Sequence, residues 1–274
     1  MTDIESYIQS LIVTNPLVEP TVLAAIQALQ FPIGSQGLDA GCGIGLQALL
    51  LADAIGPRGH VTGLDRSPNF LVLARKKVEE AGLTEQVSFQ EGDVRELPFD
   101  DDSFDWVWSA NCVGYAPLEP LPIVKELVRV VKPGGVVAIL AWSSQMLLPG
   151  YPLLEARLNL TSAGIAPFFK GTRPELHFLR ALGWFRQVGL ENPTTCTICG
   201  QAFAPLTKDL RRALVALFEM RWPGVEAELE QEELEEYRRL CLPESPDFIV
   251  DQPDYYAFFT YSMFHGKVAG EDKL

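Results

Sequence analysis

Residues 38–45, Leu38-Asp-Ala-Gly-Cys-Gly-Ile-Gly45, constrain this chain more than any other stretch. A short apolar run ends at Ala40, glycines alternate with other residues, and residues 46–55 are then nearly all apolar until Gly56-Pro57. That order reads as a strand, a tight turn and a buried helix. Glycines in such a turn let backbone N–H groups approach a ligand closely, and the N-terminus of the following helix favours negative charge. The dinucleotide fingerprint G-x-G-x-x-G is not met, because the third glycine arrives one residue early. This spacing counts against a pyridine-nucleotide oxidoreductase.

The same alternation continues to about residue 142. Residues 60–65 read as a second strand. Ser67 then caps a helix with Pro68 at its first position, an inner face of Phe70, Leu73, Ala74, Val78 and Ala81, and an end at Gly82. Strands are expected at 87–93, 104–109 and 136–142, with a helix over 121–131 and a turn at Lys132-Pro-Gly-Gly135 before the last of them. Strands joined by crossover helices form a mostly parallel sheet. Asp39, Asp65 and Asp93 close successive strands at their carboxyl ends, the edge where open α/β sheets bind ligands. Asp39 can orient the turn or a ligand ammonium. Asp65 can accept two hydrogen bonds from a ribose diol, and Asp93 can receive an adenine amino group while Val94 touches the ring.

Outside this stretch the pattern changes. Residues up to about 30 suggest helices interrupted at Asn15-Pro16, a lid or docking segment with Leu23, Ile26 and Leu29 as its apolar stripe. Residues 143–170 read as a partly helical insertion with Met146, Leu147, Leu148, Phe168 and Phe169 as exposed-looking apolar groups. A helix over 173–188 precedes a β-branched strand around Cys196. Two helices fill 207–240, the second with an acidic run over 226–236 that reads as a solvated face. An aromatic strand, 255–264, closes the chain.

With Leu38–Gly45, Gly63-Leu-Asp65 and Gly92-Asp-Val94 in this order, the chain resembles class I S-adenosylmethionine-dependent methyltransferases. Residues 97–105 and Leu127-Val-Arg-Val-Val-Lys-Pro-Gly-Gly135 resemble the stretches that flank that family's fourth strand. The resemblance covers about residues 35–142 and is nearest to the ubiquinone and menaquinone biosynthesis branch. It implies an α/β, Rossmann-like fold: a seven-stranded, mostly parallel sheet with a C-terminal antiparallel hairpin, made by the Cys196 and Tyr255 strands, and helical cap insertions. The implied organisation is a single methyltransferase domain over 1–274, with an N-terminal helical lid (1–34), a cofactor-binding core (35–142) and substrate-cap insertions at 143–170 and 205–250. The implied cofactor is S-adenosyl-L-methionine, held by Asp39, Gly41, Cys42, Gly43, Gly45, Asp65, Arg66, Asp93, Val94 and Asn111. The implied partner is a small, partly apolar methyl acceptor.

Methyl transfer from a sulfonium is an in-line displacement, so the protein must chiefly align the acceptor and exclude water. A base is required only when the acceptor loses its proton late. The acceptor is expected beyond the fourth and fifth strands, beside Asn111, Cys112, Tyr115 and Trp142, while Trp106 and Trp108 read as core. His60 reads as structural. Tyr115, His177 and His265 are candidates for a base, with no catalytic residue assigned. The amino-methylation signature, Asn or Asp followed by Pro-Pro and an aromatic, is absent, since residues 111–114 are Asn-Cys-Val-Gly. Two other readings are a non-catalytic cofactor-binding or regulatory protein of the same fold, and an arsenite methyltransferase. The Asn-Cys-Val stretch favours the latter; the lack of any Cys before Cys42 counts against it.

Composition narrows the partners. Lys plus Arg number 22 against 36 Asp plus Glu, a net charge of −14. Such a field repels phosphate backbones, and Arg75-Lys76-Lys77 is followed at once by Glu79-Glu80, so no nucleic-acid partner is expected. The five cysteines are scattered, which fits a reduced, cytoplasmic protein. Cys196 and Cys199 would face opposite sides of a strand, and no metal site is expected. The apolar residues are dispersed, so no membrane span is expected. The acidic start, Met1-Thr-Asp-Ile-Glu5, lacks a secretory signal's basic region, so the mature chain is expected to begin near Met1. The oligomeric state is not legible.

Overall fold

In the computed structural model, which describes residues 3–115, 119–166, 168 and 172–270, the glycine-bounded runs become alternating strands and helices. In chain order these are α1 (Asp3–Leu29), β1 (Gln36–Ala40), α2 (Leu46–Ile55), β2 (His60–Asp65), α3 (Pro68–Glu80), β3 (Val87–Glu91), β4 (Phe104–Ala110) and α4 (Pro120–Arg129). They continue as β5 (Val131–Met146), α5 (Pro152–Asn159), α6 (Ser162–Ile165), α7 (Ala181–Gln187), β6 (Glu191–Phe203), α8 (Lys208–Arg221), α9 (Gln231–Cys241) and β7 (Tyr256–Lys267). The sheet has seven strands in the order β3-β2-β1-β4-β5-β7-β6, with β1 to β5 parallel and the C-terminal pair antiparallel. The order reverses between β1 and β4, the switch point where such sheets open a ligand crevice.

The chain gathers into two compact units. The first holds residues 22–142, 173–198 and the chain from Tyr261 onward. Its core includes Leu38, Trp106, Val107, Trp108, Ile139 and Leu140, all fully buried. The indole N–H groups of Trp106 and Trp108 donate to Ser35 Oγ (2.9 Å) and Gln47 Oε1 (2.6 Å), so neither ring leaves a polar atom orphaned. The stretches 97–105 and 127–135 are clamped by one side chain: Arg129 donates to the carbonyls of Leu97 and Phe99 and pairs with Asp101 and Glu126. Lys132 pairs with Asp105, which also accepts the Gln36 N–H.

Gly37 is the tightest point of this unit. A Cβ there would collide with the Trp106 ring, which stacks on Phe31 with centroids 4.1 Å apart. Overpacking against a buried ring stacked on Phe31 costs about 3 kcal/mol. Gly37→Ala should therefore lower the melting temperature by roughly 6–12 °C, a shift read directly in a thermal melt.

The second unit holds the chain up to Thr21 and residues 143–172 and 199–260. Glu155 is buried in it and accepts the N–H groups of Leu147 (2.8 Å) and Leu148 (2.9 Å), while Tyr255 O–H donates to the Leu147 carbonyl. Arg157 joins Glu233 and the Glu228 carbonyl, and Arg211 takes Asp251 through two nitrogens. Glu230 and Glu233 form the capping box that starts α9. Most of the acidic run is exposed, but Glu228 and Glu233 are thus structural.

Several expectations need correction. The N-terminal segment is one helix through Pro16 and Pro20. The bonds those prolines remove are offset by burial of Ile8, Leu17, Val22, Ala25 and Ile26. This helix, Ile4–Leu29, is long and apolar enough to cross a membrane by length and composition, and residues 20–38 carry no charge, so the dispersed-apolar argument against any span does not hold for it. A third of its most apolar stretch is buried. On α3 the buried positions are Leu71, Ala74 and Val78, while Ala81 is exposed. Lys132-Pro-Gly-Gly135 lies inside β5 as a register shift against β4, because Gly134 adopts φ +81° and its N–H donates to the Val268 carbonyl. Leu147 and Leu148 are buried, Met146 is exposed, Phe168 is half-buried, and Phe169 lies outside the described residues. The helix expected over 173–188 is two short 3-10 turns, Pro174–Leu176 and Phe178–Arg180, followed by α7.

Candidate active site

The glycine turn leaves the carboxyl end of β1 and crosses to β2. Gly41 and Cys42 N–H groups both donate to the Leu64 carbonyl (2.8 and 2.9 Å), and the Gly43 N–H donates to Asp65 Oδ2 at 2.9 Å. The other Asp65 oxygen accepts the Ser67 N–H at 2.9 Å, so Asp65 ties the turn to the start of α3. Gly41, Gly43 and Gly45 all have positive φ (82°, 54° and 76°), a conformation in which L side chains are strained. A Cβ on Gly41 would meet Cys112 Sγ at 2.8 Å, and one on Gly45 would meet Ala74 Cβ at 2.9 Å. One on Gly43 would meet nothing within 4 Å. Gly43 thus presents bare backbone to open space at the start of α2.

Asp39 lies beneath this turn, 2% exposed, and its Oδ2 has no hydrogen-bond partner among the described residues. Burial, with Asp65 adding to it, raises its pKa to about 7. A buried carboxylate with an orphaned oxygen is costly, and a cationic or N–H-bearing ligand would relieve it. Asp93 follows β3, and Arg95 grips it through its side chain (Nε 3.0 Å from both oxygens) and its backbone N–H, holding the Asp93 carboxyl below its usual range. Val94 beside it is half-buried and Arg66 is exposed.

Asn111 ends β4 in a left-handed backbone, φ +49°. Expected among the cofactor contacts, it commits its side chain to protein partners: Oδ1 accepts the Trp142 N–H (2.9 Å) and the Tyr115 O–H (3.3 Å), and Nδ2 donates to Tyr261 Oη at 3.4 Å. The single Tyr115 hydroxyl proton is shared between Asn111 Oδ1 and the nearer Trp142 carbonyl, at 3.0 Å. Tyr115, Trp142 and Asn111 are thus brought together, and Cys112 is placed against Gly41. Burial pushes the Cys112 thiol up to about 11 and the Cys42 thiol further still, so neither is a thiolate at neutral pH.

The histidines fit a proton-accepting role poorly. His177 Nδ1 accepts the Leu179 N–H at 3.2 Å, which places the neutral ring's proton on Nε2. It joins the two 3-10 turns rather than standing on a helix. His265 lies on β7, three residues before Val268, whose backbone pairs with Gly134 and Gly135 near the amino end of β5. His60 bonds Ser88 Oγ. Arg95 and Tyr261 were not named from the sequence, and Ser67 was named only as the cap of α3. Arg95 had a signal, two residues after Asp93, whereas Tyr261 reaches Asn111 only through the sheet order.

Residues 38–135 match the model of a methyltransferase domain family. Over residues 38–135 the chain is therefore similar to methyltransferase domains. Among individual proteins, the chain is 42% identical over 148 residues to a demethylmenaquinone methyltransferase of Listeria welshimeri, a match covering 54% of this chain and 61% of that one. The chain therefore spans about three fifths of the length of that relative. Its fold is similar to the solved YcgJ protein of Bacillus subtilis (TM-score 0.56, 19% identity, 92% of this chain and 99% of that one). It is similar also to geranyl diphosphate C-methyltransferase of Streptomyces coelicolor, solved with S-adenosyl-L-homocysteine (TM-score 0.54, 16% identity, 92% and 79% covered).

Proposed function

We propose that this chain transfers a methyl group from S-adenosylmethionine to a small, partly apolar molecule of the quinol type. The observation that carries the reading is the orphaned, buried Asp39 oxygen under a glycine turn whose Gly43 faces open space. When bound, the cofactor supplies an electrophilic methyl carbon on a sulfonium. Asp39 and the turn would hold its amino-acid end, Asp65 its ribose hydroxyls, and Asp93 with Val94 its adenine. Asp93 would receive the adenine amino group only by sharing or releasing Arg95. Acceptor selection falls to the residues beyond β4 and β5, where Tyr115 and Trp142 stand together.

Two further observations support this reading. The Listeria relative is named for demethylmenaquinone, and the thiols of Cys42 and Cys112 are held protonated, which disfavours arsenite. Incubation with methyl-labelled S-adenosylmethionine and a reduced demethylated naphthoquinone should move label into the organic phase. Label that stays on the cofactor with this acceptor and with extracted cell lipids alike would favour a non-catalytic binding protein of the same fold.

A further inference from the structure

The side chains around Asn111 form more than a hydrogen-bond cluster. Tyr115 stacks on Phe178 with centroids 5.4 Å apart and planes 9° from parallel, and Phe178 stacks on His177 at 4.5 Å. On the other side Trp142 meets Tyr261 edge to face at 5.5 Å. The two aromatic groups come from separated parts of the chain: residues 115, 177 and 178 on one hand, β5 and β7 on the other. Asn111 is bonded to both, through Tyr115 on one side and through the Trp142 backbone and the Tyr261 hydroxyl on the other. A non-glycine residue in the left-handed region persists where the surroundings over-determine it, most often at functional sites. Asparagine is the residue that tolerates this conformation and can also accept and donate at once. Gly114, φ +80°, fits the same design, because a Cβ there would meet Phe178 and Trp184 at 2.8 Å.

We propose that Asn111 is a positioning residue that locks Tyr115 and Trp142, the latter backed by the buried Tyr261 ring, into one aromatic wall, and that this wall orients a flat, uncharged aromatic acceptor. The inference rests on the methyltransferase reading and adds to it the acceptor's shape and the residue that sets the wall. Aromatic faces and edges recognise a planar ring by stacking, without any charge on it. The amide does not touch the acceptor; it fixes the groups that do. Its loss should therefore raise the acceptor KM and lower kcat through misalignment while leaving cofactor affinity alone.

The test uses the full chain saturated with S-adenosylhomocysteine and 2-naphthol as the probe, with both titrated calorimetrically. Asn111→Gly keeps the left-handed backbone and removes the amide; it should weaken 2-naphthol binding at least fivefold and change cofactor affinity less than twofold. Asn111→Asp, whose carboxylate still accepts from the Trp142 N–H and the Tyr115 O–H, should restore most of the probe affinity. Tyr115→Phe removes only a hydroxyl, guards against misfolding of the glycine variant, and should weaken the probe about threefold. Cofactor affinity that falls in parallel would make Asn111 a cofactor ligand and overturn the proposal, as would 2-naphthol binding indifferent to Asn111→Gly and Tyr115→Phe. Failure of the wild-type chain to bind S-adenosylhomocysteine would overturn the methyltransferase reading, and this one with it.

Discussion

Asp39→Asn should make the ligand-free protein more stable above pH 7 and at the same time weaken S-adenosylmethionine binding at least tenfold. The two effects share one cause. In the unfolded chain an aspartate ionises near pH 4, whereas burial, with Asp65 adding to it, raises Asp39 to about 7 in the fold. Between those values the folded state holds more protons than the unfolded state, so its stability falls as pH rises, by a sum on the order of 4 kcal/mol. Asparagine carries no such charge, and thermal melts at pH 5 and pH 8 should show the variant gaining on the wild type at the higher pH. Binding runs the other way. A cationic ligand favours the ionised carboxylate, so wild-type affinity should tighten from pH 6 to 8, most steeply below 7, while the variant's stays flat. Equal affinity and equal pH dependence in the two proteins would show that Asp39 plays no part in the site.

Gly43→Val should abolish measurable cofactor binding, a loss of more than a hundredfold, in a chain that remains folded. A Cβ at this position meets no protein atom within 4 Å, so the main structural cost is the backbone strain at φ +54°, about 2 kcal/mol. The open space into which they project is the space a ligand must enter. Gly45→Val is the contrast: its Cβ would collide with Ala74 at 2.9 Å and Phe89 at 3.0 Å, so it should unfold the protein rather than block it. Melts and calorimetry on the pair separate a filled site from a broken core. If Gly43→Val binds the cofactor normally, the cradle lies elsewhere.

The glycine-bounded alternation was legible because it is local: Gly45, Gly56, Ser67-Pro68 and Gly82 punctuate helices by backbone rules that need no tertiary contact. The three strand-ending acids were legible for the same reason. Features set by burial or by distant strands were not. Pro16 and Pro20 look like breaks until α1 has an apolar face to bury, and Lys132-Pro-Gly-Gly135 looks like a turn until Gly134 pairs with Val268. Residues 173–188 carry a helical composition, yet Pro174 and His177 divide them into short turns. Asn111 could be named as a site residue from its place after β4, but its partners Trp142 and Tyr261 depend on the order β4-β5-β7. Arg95 on Asp93 shows what composition hides, since one exposed cation decides how an acid at the site presents itself.

Calorimetric titration of S-adenosylmethionine into the wild-type chain and into Asp65→Ala tests the central claim most directly. Asp65 accepts the Gly43 and Ser67 N–H groups at 2.9 Å each, so its removal loosens the turn as well as removing the acceptor for a ribose. The expected result is a micromolar dissociation constant for the wild type, weakened tenfold or more in Asp65→Ala, in keeping with a loss of about 1.5–3 kcal/mol per hydrogen bond to a charged group. No binding by the wild type, or equal affinity in the two proteins, would contradict the account.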